Sequence, residues 1–288
     1  MDLSIVVIFD KIRKEKLTRL LASLQQQASQ LNAEVLLVHE SNQPLPKLEL
    51  PFDFRYITIP EKRGIPFNRN QGIDHARGDV IVFIDDDCWV HDTWLSSLVR
   101  PLQEDKNLLA VTSGTKIPKA NLLGDCISAL GFPGGGSLGF EKVWKISKEG
   151  FTTHLAVGNC VLRREVFERI GYFDESMKSG AEDAELSFRM EKAGIPIRYV
   201  PQAHAFHEAR TTIPSFVRWQ LRRGRANYQF KKKVGNVGGF IKLRIWSAGN
   251  IVKENLFSPK LPLILSLLGL SFALQQIGYY QERKKNRE

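Results

Sequence analysis

The chain has 288 residues, of which 43% are hydrophobic and 25% are charged. This composition is typical of a globular protein large enough for one domain plus an appendage, and it excludes an intrinsically disordered chain. Its three cysteines are widely spaced and form no CxxC or Cys/His zinc pattern, which indicates free thiols in a reducing compartment.

The net charge of +10 comes entirely from the C-terminal quarter. Residues 210–288 hold 16 Lys/Arg and 3 Asp/Glu, a net charge of +13, whereas residues 1–209 hold 25 and 28, a net charge of −3. Such asymmetry indicates an anionic partner, either nucleic acid or anionic lipid. A solvated basic tail would have the same composition.

Strands and helices alternate over the first part of the chain. Apolar, β-branched runs predict strands buried on both faces, and leucines at helical spacing predict helices between them. The alternation predicts an α/β fold with a parallel sheet and right-handed crossovers. The first apolar run lacks the flanks of a signal peptide and is therefore predicted to be a strand. The predicted elements are strands over 3–9, 34–38, 54–59, 80–84 and 108–112, and helices over 14–31, 66–76 and 94–102, the last capped by Asp92-Thr93.

The segment 118–152 interrupts this alternation. Its FPGGGSLG run at 132–139 predicts a flexible loop, which could cover a substrate or be an ordinary surface insertion. The run lacks the Gly-Lys-Ser/Thr ending of a P-loop. Further elements are predicted after it: a short strand after 156, helices over 164–170 and 182–193, and a strand over 197–199.

Three consecutive carboxylates, Asp85, Asp86 and Asp87, follow the fourth predicted strand. Ligands of open parallel sheets bind outside the carboxyl ends of the strands, so this position favours a cation site over a solvated acidic turn. Carboxylates are hard oxygen ligands that suit Mg²⁺ or Mn²⁺. Glu40 ends the second strand and would face the same crevice.

Two further groups have both a functional and a structural interpretation. Arg69 could pair with a phosphate, although a solvated surface arginine is the ordinary case. Glu182 and Asp183 open a helix, where the helix dipole alone favours acids. One of them could instead act as a general base near the metal. Spacing alone leaves these interpretations open.

Four segments together resemble the inverting family 2 glycosyltransferases of GT-A fold, in which similar segments occur in this order and at similar separations. The segments are GIPFNRNQGIDHARGD at 64–79, FIDDD at 83–87, GNCVLRREVFERIGYFDE at 158–175 and AEDAELSFRMEKAG at 181–194. The resemblance covers roughly residues 3–210. It implies a GT-A, Rossmann-like mixed sheet, mainly parallel and flanked by helices.

The resemblance also implies a chemistry. A nucleotide-diphosphate sugar would be the donor, a divalent cation would bind its diphosphate, and an acceptor hydroxyl would attack with inversion. The residues that it assigns are Asp85, Asp87 and His207 to Mn²⁺ or Mg²⁺; Glu40, Arg69, Asn70 and Asp86 to the donor; and Asp183, the general base, with Glu182 to catalysis.

The basic C-terminal quarter predicts a helical extension over 211–288, after a catalytic domain over 1–210. A helix over 215–233 interleaves Arg/Lys with aromatic residues, which suits a membrane surface and also nucleic acid. The apolar run 261–274 is short for a span. These features favour a peripheral protein on the cytoplasmic face of an anionic membrane with a glycan or lipid-linked acceptor. The alternatives for the apolar run are a single membrane span and a soluble packed helix. The alternatives for the whole protein are a nucleic-acid-binding protein with a non-catalytic domain and a nucleotidyltransferase.

Overall fold

The computed structural model describes residues 1–9, 13–41, 54–235 and 238–286. The predicted strands over 3–9, 54–59 and 197–199 are confirmed residue for residue. The strands are β1 (Leu3–Phe9), β2 (Glu34–Glu40), β3 (Phe54–Ile59), β4 (Val80–Asp85), β5 (Cys88–Trp89), β6 (Ala110–Thr112), β7 (Thr115–Lys116), β8 (Phe151–Thr152), β9 (Asn159–Arg163), β10 (Ile197–Tyr199) and β11 (Ala205–His207).

The helices that flank these strands agree with the predicted ones to within a few residues up to α8. Three helices, α4, α5 and α9, have no counterpart among the predicted elements. The helices are α1 (Lys14–Gln30), α2 (Ile65–His75), α3 (Trp94–Glu104), α4 (Leu122–Ser128), α5 (Phe140–Val143), α6 (Glu165–Ile170), α7 (Glu182–Lys192), α8 (Ile213–Val234), α9 (Gly238–Glu254) and α10 (Leu261–Lys285).

Eight strands form one mixed sheet in the order β3-β2-β1-β4-β9-β6-β10-β8. β3, β2, β1 and β4 are parallel to one another, as predicted from the β-α alternation. β9 inserts antiparallel between β4 and β6. The register pairs Ile8 with Asp85 and Phe9 with His39, so the carboxyl ends of β1, β2 and β4 meet at one edge.

Helices cover both faces of this sheet. On one face α1 and α3 bury residues such as Leu20, Leu24 and Trp94 against it. On the other, α2, α6 and α7 bury residues such as Ile73 and Leu186. The continuous apolar strands are explained by this double burial, because neither face is left to solvent.

A second, three-stranded sheet lies beside the first in the order β5-β11-β7. β11 runs antiparallel to β5 with His207 paired to Cys88. Because Cys88 directly follows the acidic triplet, this register brings His207 beside Asp87.

The three C-terminal helices share a third core with α4, which includes Ile127, Phe216, Ile251 and Ile264. α8 and α10 cross at close range through glycines. A Cβ atom at Gly224 would lie 2.1 Å from the Gln275 carbonyl oxygen. Larger residues there would separate the two helices.

Two sequence predictions are wrong in detail. The helix after β5 begins at Trp94 with Thr93 at its N-cap, and no side chain caps it, so Asp92 is not its cap. The glycine-rich run is a packed turn and not a flexible loop: the backbone N–H of Thr115 donates to the Gly134 oxygen at 2.7 Å, and its hydroxyl donates to the Pro133 oxygen at 2.7 Å.

Candidate active site

The acidic triplet lies at the carboxyl end of β4, where the sequence places it. Asp85 is the last residue of the strand, and Gly158 lies directly against it. A Cβ atom at Gly158 would stand 2.3 Å from Asp85 Oδ2, so only glycine leaves room for this carboxylate. Glycine is the residue that permits such close approach of a backbone to a functional group.

Asp86 and Asp87 share a guanidinium group. Arg13, just before α1, donates to both Asp86 oxygens at 2.6 and 2.8 Å and to Asp87 Oδ2 at 3.2 Å. His207 Nε2 lies 3.2 Å from the other Asp87 oxygen. A cation on one side and an imidazole on the other therefore balance the charge of adjacent carboxylates.

These partners set different proton affinities along the triplet. Burial and repulsion from Asp87 raise the pKa of Asp86 to about 6, although Arg13 opposes them. Burial also opposes ionisation of Asp87, but the hydrogen bond and charge of His207, with Arg13 and Lys16, hold its pKa below the ordinary value. Asp87 is therefore more firmly ionised than Asp86, which makes it the stronger cation ligand of the two.

Arg69 links the triplet to the helix that the sequence singles out. Its guanidinium forms an ion pair with Glu182 and lies 3.6 Å from Asp85 Oδ1, while only 7% of its side chain is exposed. One buried arginine therefore connects Asp85 of the FIDDD segment with Glu182 of the AEDAELSFRMEKAG segment. Glu182 is equally buried and neutralises Arg69.

Asp183 faces the same cleft from the first turn of α7. Ala181, just before it, has a left-handed backbone with φ +65°, an uncommon conformation for a residue with a Cβ atom. The Asp183 side chain is 36% exposed, so a substrate hydroxyl can reach it. Desolvation in the cleft raises its pKa, against the Ala184 N–H and the charge of Arg69. A raised pKa makes a carboxylate a better proton acceptor near neutral pH.

The donor set fits a divalent cation in its chemistry. Asp85, Asp87 and His207 offer oxygen and imidazole ligands at one strand end. In the described parts of the chain they are not gathered into a ready three-ligand cluster, and Arg13 lies on the acids instead. Arg13 would have to leave Asp87 when a metal binds there.

A family-wide comparison settles the class of the protein. The glycosyl transferase family 2 profile matches residues 4–171, more than half of the chain. The chain belongs to glycosyltransferase family 2. The fold is the GT-A glycosyltransferase fold, as expected from the resemblance.

Individual relatives are distant and mostly longer. "Polypeptide N-acetylgalactosaminyltransferase 11" of Xenopus tropicalis is 28% identical over 235 residues, which cover 73% of this chain and 39% of that protein. "O-antigen biosynthesis protein RfbC" of Myxococcus xanthus is 29% identical, covering 71% and 17%. The solved mannosyltransferase PcManGT of Pyrobaculum calidifontis, in complex with GDP-Man and Mn²⁺, superposes with a TM-score of 0.58 at 16% identity, covering 98% and 83%. The chain thus spans about two fifths of the length of the first of these relatives.

Within this family 2 site, Glu40 and Asn70 hold the protein's own backbone. The Glu40 carboxylate accepts hydrogen bonds from the backbone N–H groups of Arg63 and Gly64, at the start of α2. Asn70 pairs with Phe173 twice, donating to its carbonyl and accepting from its N–H, both at 3.0 Å. Their assignment to donor binding stays a prediction.

Several residues near the acids carried no signal in the sequence. Arg13 and Arg210 precede helices as ordinary basic residues, yet Arg13 binds the triplet and Arg210 lies close enough to feel the charge of Asp87. His154 is a lone histidine, yet its Nε2 lies 3.9 Å from Asp183 Oδ2.

The His154 imidazole is kept neutral by its burial, and we therefore predict that the fold is sensitive to acid. Its ring stacks on Trp144 at 3.5 Å, and burial with repulsion from Arg244 lowers its pKa to about 3. In the unfolded chain this histidine has its ordinary pKa of about 6.5. Its contribution to the free energy of unfolding is therefore fully present above that pH and is lost as the pH falls toward 3. At roughly pH 5 the loss is roughly 2 kcal/mol relative to neutral pH.

Urea unfolding at both pH values measures this effect. We expect His154→Phe, which keeps an aromatic ring beside Trp144, to lose roughly 2 kcal/mol less than the native chain on acidification. His75→Phe, at an exposed site on α2, is the matched control and should leave the pH dependence unchanged. Equal acid sensitivity in the native chain and in His154→Phe would contradict the assignment.

Proposed function

We propose that the protein is a metal-dependent, inverting glycosyltransferase that moves a sugar from a nucleotide-diphosphate donor to an acceptor hydroxyl. One observation carries the proposal: Arg69 ties Asp85 of the triplet to Glu182, with Asp183 exposed in the same cleft. A cation site and a proton acceptor then flank a single reaction centre. The similarity to sugar transferases supports the class of reaction.

In a single displacement reaction, each of these cleft residues would have its own role. Asp85, Asp87 and His207 would hold Mn²⁺ or Mg²⁺, which supplies Lewis-acid stabilisation to the diphosphate leaving group. Arg210, near Asp87, adds positive charge on that side, and Asp86 would lie by the ribose or metal. Asp183 takes the proton of the acceptor hydroxyl as it attacks the anomeric carbon from the opposite face. One displacement inverts that carbon.

A donor screen with metal control tests the proposal. We expect one of UDP-, GDP- or dTDP-sugars to be hydrolysed with Mn²⁺ or Mg²⁺, and turnover to stop in EDTA and return with added metal. We expect His207→Ala to raise the Mn²⁺ concentration for half-maximal turnover by at least about tenfold. His204→Ala, whose ring packs on His91 and Phe206, is the control. Full turnover in chelator would remove the metal from the mechanism.

The C-terminal helices are proposed to lie on an anionic membrane. In the described part of the chain α10 is the one helix long and apolar enough to span a bilayer, and 22% of its most apolar window is buried. Its second half is tied to α8 through polar pairs, including Gln275 with Gln220 at 2.9 Å. These polar contacts favour a helix that lies in the interface over one that crosses it.

The exposed face of this region supports lipid over nucleic acid as the partner. Large apolar side chains point outward beside basic residues, a pattern of interfacial helices. A lipid-linked or glycan acceptor on the cytoplasmic leaflet would suit such docking. The exposed apolar residues are Ile241, Ile245, Leu256, Phe257, Leu265, Leu270, Phe272, Ile277 and Tyr280.

Vesicle flotation measures this docking. We expect the protein to float with phosphatidylglycerol vesicles at low salt, less so at high salt, and little with phosphatidylcholine alone. The double variant Phe257→Asp/Phe272→Asp should lower partitioning by roughly tenfold or more, because two rings leave the lipid. Gln202→Asp, an exposed site near β11, controls for added negative charge. Equal flotation of both variants would contradict the proposal.

A further inference from the structure

His154 and Asp183 face each other across a gap that suits one small group. The Nε2 atom of His154 lies 3.9 Å from Oδ2 of Asp183, which is too far for a direct hydrogen bond. A hydroxyl oxygen placed about 2.7 Å from the carboxylate and about 2.9 Å from the ring nitrogen would reach both atoms. The gap therefore has the size of a site for a single hydroxyl group.

One buried hydroxyl, that of Ser187 on α7, fixes the width of this gap. The backbone N–H of Leu155 donates to Ser187 Oγ at 2.9 Å, and the same hydroxyl donates to the carbonyl oxygen of Asp183 at 2.6 Å. Ser187 thus ties the residue after His154 to the first turn of the helix that carries Asp183. The spacing of the two side chains is set by the fold and not by a substrate.

The two side chains are also held individually. The His154 ring stacks on Trp144 with 15° between the two planes, and the centroid of Phe140 lies 6.2 Å from it. Asp183 Oδ1 accepts from the Ala184 N–H at 2.7 Å, so Oδ2 is the oxygen that faces His154. Groups fixed in this way orient a reactant at little cost in entropy.

The ring of His154 lacks a hydrogen-bond partner of its own. Its side chain is 10% exposed. Within the described part of the chain, His154 forms a hydrogen bond through its backbone N–H, to Thr152 Oγ1 at 3.3 Å, and none through its ring. Buried polar side chains are ordinarily satisfied, by water or by a ligand where the protein offers nothing. The ring is therefore a candidate to bind a group that enters the cleft.

The imidazole can act in this gap as a donor and not as a second base. Burial, with repulsion from Arg244, lowers the pKa of His154 to about 3, so at neutral pH the ring is uncharged and carries one N–H. A carboxylate beside Nε2 favours the tautomer whose proton is on Nε2 over the one with a lone pair there. The pair thus consists of one donor and one acceptor.

We propose that His154 Nε2 and Asp183 Oδ2 together bind the acceptor hydroxyl that attacks the sugar. The hydroxyl donates to Asp183 and accepts from the Nε2–H of His154, which leaves its second lone pair for the anomeric carbon. As the new bond to that carbon forms, the hydroxyl proton passes to Oδ2. The bond from the carbon to the diphosphate breaks and leaves its electron pair on the diphosphate, while His154 keeps its proton. This inference rests on the proposed function, because Asp183 is the proton acceptor in that reaction.

Two substitutions at His154 distinguish a hydrogen-bond donor from a packing ring. Water serves as the probe in place of the acceptor hydroxyl, so the measured reaction is hydrolysis of the nucleotide sugar found in the donor screen. Gln places an N–H group as many bonds from Cβ as Nε2 is, whereas Phe keeps only the ring. We expect His154→Phe to lower kcat by at least about tenfold at unchanged donor KM, and His154→Gln to stay within about threefold of the native chain.

A ring that serves packing alone gives the opposite order, since Phe retains the stacking on Trp144 and Gln loses it. Hydrolysis by His154→Gln that is no faster than hydrolysis by His154→Phe would therefore overturn the inference. The substitutions His75→Gln and His75→Phe, at an exposed site on α2, are the matched controls and should leave kcat and KM unchanged.

Nuclear magnetic resonance of the full native chain tests the donor without turnover. With isotope-labelled histidine, the couplings within each ring show which nitrogen carries the proton, and the signal absent from a His154 variant identifies His154. We expect the proton on Nε2 at neutral pH, and a shift of its resonance in Asp183→Asn but not in Glu191→Gln, an exposed site on the same helix. A proton on Nδ1 would refute the donor role, even where one of the two variants fails to fold.

The two proposals fail separately. A chain that hydrolyses a nucleotide sugar but carries the His154 proton on Nδ1 keeps the transferase and refutes the hydroxyl site. A chain whose Nε2 proton responds to Asp183→Asn, but which hydrolyses no nucleotide sugar, keeps the donor–acceptor pair and refutes the proposed function.

Discussion

Replacing Asp183 by Asn is expected to lower sugar transfer by roughly 10²-fold or more while donor binding stays nearly unchanged. The carboxylate is accessible from the cleft, and desolvation raises its pKa toward the range of an effective base. Asparagine has nearly the same shape and retains an oxygen that can accept from the Ala184 N–H, a bond of 2.7 Å in the native chain. The start of α7 should therefore be preserved.

Transfer kinetics and donor affinity together isolate this role. Initial rates with saturating donor measure transfer, and calorimetry with the nucleotide sugar measures binding. Glu191→Gln makes the same chemical change at an exposed position of the same helix and should leave both quantities unaltered. Transfer by Asp183→Asn within about tenfold of the native rate would exclude Asp183 as the base, given the usual size of general-base effects.

The parts of this protein that could be predicted from sequence are those with local causes. The continuous apolar run of β1 and the leucine spacing of α1 reflect burial that each segment shows by itself. The triplet could be placed at a strand end because its own strand precedes it. The prediction of its chemistry depended on the resemblance of four segments together to a known family, because no single segment distinguishes a metal site from an acidic turn.

The parts that could not be predicted arise from contacts between remote segments. β9 is a short apolar strand whose antiparallel insertion depends on the partners β4 and β6. Arg13 and Arg223 read as ordinary surface arginines until the fold brings one to the acids and the other to Phe132. The glycine run suggested mobility, yet its turn is fixed by hydrogen bonds to Thr115, which local composition does not encode.

Replacing Arg69 by Met is expected to destabilise the fold and to abolish transfer together. Arg69 is the buried cation between Glu182 and Asp85, and the side chains of Arg69 and Glu182 are 7% and 9% exposed. Its loss leaves the Glu182 charge buried without a partner, which costs about 3–5 kcal/mol in comparable pairs. It also removes the cation that opposes the raised pKa of Asp85. Asp85 then becomes a poorer ligand.

A double variant separates the two consequences, and urea unfolding with donor hydrolysis measures them. Arg69→Met/Glu182→Met replaces the pair by apolar groups and should recover most of the lost stability, because neither charge remains buried. Transfer should not recover, since the link between the triplet and α7 is still missing. Arg169→Met is the control: it breaks the exposed pair with Glu165 and should cost less than about 1 kcal/mol. Recovery of transfer along with stability would show that Arg69 serves only the fold, and the cleft would then need another group to align the ion site with Asp183.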